Sequence, residues 1–168
     1  FLEPIKRKEI EIKNSKILLL GAGGASRAIV AGFQKENAKE VTIVNRTKNN
    51  GDKLAEFSKE LGLNASSKTI EDMDSFDSDF DFIVNASSLG LKNENNIIPE
   101  KLFDEKTTVY DIVYKPVKTD FINKAKEKNC KIIFGYEMLL GQAIRSFEIW
   151  LDRKAPYDVM KRSILGGF

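Results

Sequence analysis

Hydrophobic and polar positions alternate between short apolar runs and amphipathic stretches. Lys16-Ile17-Leu18-Leu19-Leu20 is a continuous apolar run that ends in glycines, the pattern of a strand covered on both faces of a parallel sheet. From Gly24 to Lys35 the period changes: Ala25, Ala28, Ile29 and Phe33 recur at helical spacing and predict a helix with one buried face. Val41-Thr42-Ile43-Val44 predicts a second strand, and Leu54, Phe57 and Leu61 a second helix. A weaker strand is expected near Ala65-Ser66-Ser67. Asp81-Phe82-Ile83-Val84, the stretch Thr107 to Val113, and Lys131-Ile132-Ile133-Phe134 predict further strands, with a helix around Phe121, Ile122 and Ala125 before the last. A long helix carries Leu139, Leu140, Ala143, Ile144, Phe147, Trp150 and Leu151, and Pro156 opens a short terminal one. Strands alternating with helices predict βαβ units, hence an α/β fold with a doubly wound parallel sheet in three α/β/α layers.

The first strand leads directly into Gly21-Ala22-Gly23-Gly24-Ala25-Ser26. Gly21 permits a tight turn, Gly23 lets a pyrophosphate approach the backbone, and Ser26 is small enough for close packing of helix on strand. The helix that follows offers unpaired N–H groups and a positive dipole end to phosphates. Glycines also make ordinary turns, but between a strand and a helix this spacing predicts a Rossmann-type dinucleotide loop. The end of the second strand selects the dinucleotide. NAD enzymes place a carboxylate there for the ribose 2′-hydroxyl, whereas this chain has Asn45-Arg46-Thr47. Arg46 can pair with a 2′-phosphate and Thr47 can add a hydroxyl donor, so NADP(H) is expected. Lys48 and Lys53 stand nearby.

Composition removes several other chemistries. The 168 residues hold 27 Lys+Arg, 25 Asp+Glu, one cysteine and no histidine. A net charge of +2 gives no bulk reason to expect nucleic acid. No apolar run approaches the roughly 20 residues of a membrane span. One cysteine, Cys130, makes no internal disulfide, so a reducing, cytoplasmic setting is expected. Without histidine there is no Ser-His-Asp triad, and no metal site is expected. The acidic stretch Glu71 to Asp81 fails the EF-hand pattern, because Phe82 and Ser88 occupy its glycine and glutamate places. Tyr157 and Lys161 match a Tyr-x-x-x-Lys pair, but close to the chain end and after a proline, where the match reads as chance. Asp111 and Tyr114 close the strand before Lys115-Pro116, at the edge that faces ligands in open α/β sheets; Asp111 could contact substrate or cap the loop.

Taken in order, GAGGASRAI at 21–29, VTIVNRT at 41–47, IVNASSLG at 83–90, YDIVYKP at 110–116, GYEMLLGQA at 135–143 and FEIW at 147–150 resemble the C-terminal NADP-binding domain of the shikimate dehydrogenase family. The resemblance implies reversible reduction of 3-dehydroshikimate to shikimate with NADPH, a step of aromatic amino-acid biosynthesis. It gives Gly21, Ala22, Gly23, Gly24 and Ala25 to the pyrophosphate and Asn45, Arg46 and Thr47 to the adenosine ribose and its 2′-phosphate. Ser87 would line the cofactor groove, Ile112 and Gly135 would border the nicotinamide, and Tyr114 and Gln142 would reach the shikimate. The family often carries a second Arg where Asn50 stands, a departure that weakens the phosphate clamp unless Lys48 or Lys53 substitutes.

The same resemblance implies that the catalytic Lys and Asp lie on a separate N-terminal domain, with none in this chain. Residues 1–15 then read as a remnant of the linking helix and lead-in, and 16–168 as the NADP-binding domain. Phe1, Leu2, Ile5 and parts of the long helix are expected to expose apolar surface. Two other readings stay open: half of a quinate/shikimate-type dehydrogenase, which a carboxylate after the second strand would favour, and a stand-alone nucleotide-sensing domain.

Overall fold

The computed structural model describes residues 1–77, 79–88 and 98–166. Six strands form one sheet in the order β3-β2-β1-β4-β5-β6, every neighbouring pair parallel. They are β1 (Lys16–Leu20), β2 (Glu40–Val44), β3 (Asn64–Lys68), β4 (Phe82–Asn85), β5 (Thr108–Asp111) and β6 (Lys131–Ile133). The helices are α1 (Leu2–Arg7), α2 (Gly24–Lys35), α3 (Lys48–Glu60), α4 (Asp120–Glu127), α5 (Gly135–Leu151) and α6 (Tyr157–Leu165). The fold is the expected α/β, Rossmann-type doubly wound sheet.

The unbroken apolar run of β1 serves two cores. Ile17 and Leu19 pack with Ile29, Val30 and Phe33 of α2 and Leu54 of α3 on one face. Leu18 and Leu20 pack with Phe121, Ile122 and Ala125 of α4 on the other. Successive side chains of a strand point to opposite faces, so a strand covered twice must be apolar throughout.

Two expectations need correction. Phe1, Leu2 and Ile5 do not form an exposed apolar patch. Ile5 is fully buried, and Phe1 and Leu2 pack on the α2 side of the sheet. The Phe1 ring stacks on Tyr110 at 4.9 Å and meets Phe33 edge-on at 5.1 Å. Burying Ile5 fully and Phe1 and Leu2 in part outweighs leaving a six-residue helix loose in water. The long helix also starts earlier than its apolar spacing shows, at Gly135. The Glu137 carboxylate accepts the Phe134 N–H at 3.0 Å and closes the first turn.

Candidate functional site

The strand order reverses between β1 and β4, and a crevice opens beyond the carboxyl ends of the strands at that point. A groove of about 450 Å³ lies there, lined by Gly21, Ala22 and Gly23, by Val44 to Thr47, by Asn50 and Ile70, and by Ala86, Ser87 and Ser88.

Gly21 makes the turn out of β1. Its φ is +98°, and a Cβ placed on it would lie 2.8 Å from the Ala86 carbonyl oxygen. Only glycine combines that backbone angle with so close an approach to the exit of β4. Its N–H donates to the Val44 carbonyl at 2.8 Å, and the buried Ser26 hydroxyl donates to its carbonyl at 2.9 Å. The loop is thus pinned to β2, β4 and α2 before any ligand arrives. Gly24 and Ala25 open α2, where N–H groups have no intrahelical acceptor.

Asn45 does something its motif does not reveal. Its Oδ1 accepts the Ala22 N–H at 3.1 Å and its Nδ2 donates to the Thr47 carbonyl at 2.9 Å. The amide therefore ties the glycine loop to the Arg46-Thr47 turn. Arg46 and Thr47 are exposed at the β2 end of the groove beside Asn50. Lys48 is paired with Asp52 on the next turn of α3, and neither Lys48 nor Lys53 lines the groove. Arg46 is then the cationic side chain among the described groove-lining residues.

Ile70 lines the groove too, and the sequence reading missed it. It sits in the turn after β3, where Asp72 accepts the Thr69 N–H at 2.7 Å and its hydroxyl at 3.1 Å. These bonds hold the Asp72 carboxyl below its usual range. The Thr69-x-x-Asp72 spacing, a capping pattern, was the available signal.

On the far side, Asn85 and Asp111 end β4 and β5 as register partners, both buried. Asp111 accepts from Asn85 Nδ2 at 2.9 Å, from the Val113 N–H at 3.0 Å and from the Thr119 hydroxyl at 2.6 Å. Of the two readings left open for Asp111, the loop-capping one holds. Burial pushes its carboxyl up, and the three donors pull the other way. Asn85 Oδ1 accepts the N–H and hydroxyl of Ser87, at 3.1 Å and 2.6 Å. Leu89 and Gly90, which end that motif, lie outside the described residues.

Ile112 and Gly135 are brought together, because a Cβ on Gly135 would fall 2.3 Å from the Val113 carbonyl and 2.7 Å from that of Ile112. Neither belongs to the lining of the groove. Tyr114 is half exposed on the loop after β5. Gln142 is exposed on α5, where it lines a separate apolar groove with Leu139, Phe147, Trp150 and Met160. Tyr157 of α6 lies under the Arg7 guanidinium at 4.0 Å, and it and Lys161 are away from the dinucleotide groove. Cys130 is buried and its thiol donates to the Asp104 carbonyl; burial pushes its ionisation up, as for an unreactive thiol. Among the described residues no three His, Cys, Asp or Glu come together to hold a metal, and no helix is long and apolar enough to cross a membrane.

Comparison with known proteins agrees with this geometry. The family model described as "Shikimate / quinate 5-dehydrogenase" matches residues 4–112, and that described as "Shikimate 5'-dehydrogenase C-terminal domain" matches 135–165. Shikimate dehydrogenase (NADP(+)) of Nitrosopumilus maritimus is 58% identical over 168 residues, covering 100% of this chain and 62% of that protein. The crystal structure of shikimate 5-dehydrogenase from Thermus thermophilus with NADP(H) and shikimate superposes with a TM-score of 0.83 at 31% identity, over 100% of this chain and 60% of that one. That from Listeria monocytogenes, with shikimate and NAD, gives 0.88 at 28% identity, over 97% and 60%. This chain thus spans about 60% of the length of the relatives it matches. With a family model covering both the glycine turn and the β4 exit that together form the groove, the chain belongs to the shikimate dehydrogenase family.

Proposed function

We propose that the chain is the NADP-binding part of a shikimate dehydrogenase that reversibly reduces 3-dehydroshikimate to shikimate with NADPH. The observation that carries this reading is the exposed Arg46 at the β2 end of the groove, where an NAD enzyme has a carboxylate. The residues present fit the dinucleotide. Gly21 to Ala25 would hold the pyrophosphate, with the first N–H groups of α2 facing it. Arg46 and Thr47 would hold the 2′-phosphate and the ribose beside it, and Asn45 would keep that turn in register with the glycine loop. Ser87 would meet the other half of the dinucleotide, with Ile112 and Gly135 bordering the nicotinamide.

NADPH, when bound, supplies the hydride, and the substrate carbonyl becomes a hydroxyl on taking a proton. In this reading the Lys and Asp that act at that hydroxyl lie in the part of the relatives that this chain does not match. Residues 16–168 form the cofactor domain, and residues 1–15 lead in from the catalytic one. Tyr114 and Gln142 would reach shikimate across the cleft between the two. The 168-residue chain is expected to bind NADPH with little turnover. Calorimetry tests the cofactor assignment. Arg46→Ala should weaken NADPH about 10- to 100-fold, as expected for loss of a charged hydrogen bond, and leave NADH nearly unchanged. Tighter binding of NADH than of NADPH by the wild-type chain would overturn the reading.

A further inference from the structure

Two cations follow the second strand closely, and the structure treats them differently. Arg46 is exposed at the groove, and among the described residues no carboxylate pairs with it. Lys48 opens α3 and gives its ammonium to Asp52. The hydrogen bond from Lys48 holds the Asp52 carboxyl below its usual range, so both partners are charged at neutral pH. Asp72 feels the same lysine charge without an ion pair to it, and its carboxylate already accepts the two bonds from Thr69.

The place of Asp52 along α3 decides what the pair does. Thr47 and Asn50 line the groove, so the first turn of α3 is the end that meets it. Cα–Cβ bonds of a helix incline toward its N-terminus, which favours a lysine at the first helical position reaching toward that end. Asp52 lies four residues on, about 6 Å along the axis in the other direction. The ion pair therefore draws the Lys48 ammonium down the helix, and Lys48 lines no part of the groove. Asn50, which does line it, carries no charge. A cation one residue beyond Thr47 is cancelled where a phosphate would have attracted it.

We propose that Asp52 is a positioning residue that tunes the choice of dinucleotide: it withholds Lys48 from the groove, so that a 2′-phosphate meets the Arg46 guanidinium without a second cation. This rests on the dinucleotide reading of the groove given above. NADPH is then bound less tightly than the cations after β2 would allow. NADH, which has no 2′-phosphate, is indifferent to the pair.

The experiment is calorimetric titration with NADPH and NADH at low ionic strength, where screening is weakest. It compares the wild-type chain, Asp52→Ala, and the double variant Asp52→Ala with Lys48→Met. Both side chains of the pair are half exposed, so the fold should tolerate each change. Asp52→Ala should tighten NADPH about 2- to 5-fold, the range for an exposed charge pair, with NADH within ~1.5-fold of wild type. The double variant should return to the wild-type affinity for both. The inference falls if Asp52→Ala leaves the ratio of the two affinities unchanged, as a merely structural role would. It falls if the double variant binds NADPH as tightly as Asp52→Ala, because Asp52 then acts by its own charge. It falls equally if the double variant binds NADPH more weakly than wild type, because Lys48 then already reaches the phosphate. A wild-type chain that preferred NADH would instead overturn the cofactor reading, before any variant is compared.

Discussion

Gly21 carries two constraints at once, a left-handed backbone angle and a carbonyl 2.8 Å from where a side chain would begin. Gly21→Ala should therefore lower stability by about 1–3 kcal/mol, the range for a residue forced into a sparsely populated backbone region. It should also abolish NADPH binding, because relief of the contact moves the loop off β4. Denaturant melts and titration of the same sample check both. Asn45 makes the opposite point about legibility. Its place in Val44-Asn45-Arg46-Thr47 marked it for the ribose, yet its amide spans the glycine loop and the Arg46 turn. Sequence spacing reveals which residues share a strand end. It does not reveal whether a side chain there turns to the ligand or to its neighbours.

Elements were legible where one periodicity ran unbroken. β1 and α2 follow the boundaries that their apolar positions predict, because burial on two faces or on one stripe leaves a direct imprint on the pattern. The turn carrying Ile70 left none. Ile70 precedes a short helical turn, Glu71–Ser75, held by hydrogen bonds to Asp72 rather than by an apolar stripe. Those bonds favour the ionised carboxyl and hold its pKa below the usual range. Their contribution is thus present above the unfolded-state value near 4 and is lost as pH falls through the lower folded-state value. Asp72→Asn should be less stable than wild type at pH 7, with the gap closing on acidification below about pH 4. Paired denaturant melts across that range measure the gap, and a gap that widened in acid would contradict the assigned cause. The first turn of α5 was missed for the same reason, since a cap from Glu137 sets its start.

At the scale of the molecule, apolar exposure gathers on α5 and α6. Trp150 is 80% exposed, with Ile149, Leu151 and Val159 near it in sequence or across the helix pair. A patch of this kind marks a contact surface, and in the proposed reading it belongs to the side of the cleft that Gln142 faces. Trp150→Ser should leave the unfolding free energy within about 0.5 kcal/mol, as for a surface change, and reduce self-association in sedimentation velocity. The sheet order has a further consequence, for the route by which the chain folds. β2 and β3 each pair with the strand just before them in the chain, but β4 must cross back to join β1, setting Ile17 beside Phe82. Closing the longer loop costs more entropy before any contact repays it. The β1–β2–β3 half can form from near neighbours, whereas the β1–β4 seam waits. Gly21 and Ala86 meet across that seam, so the groove comes into being only when the two halves of the sheet have joined.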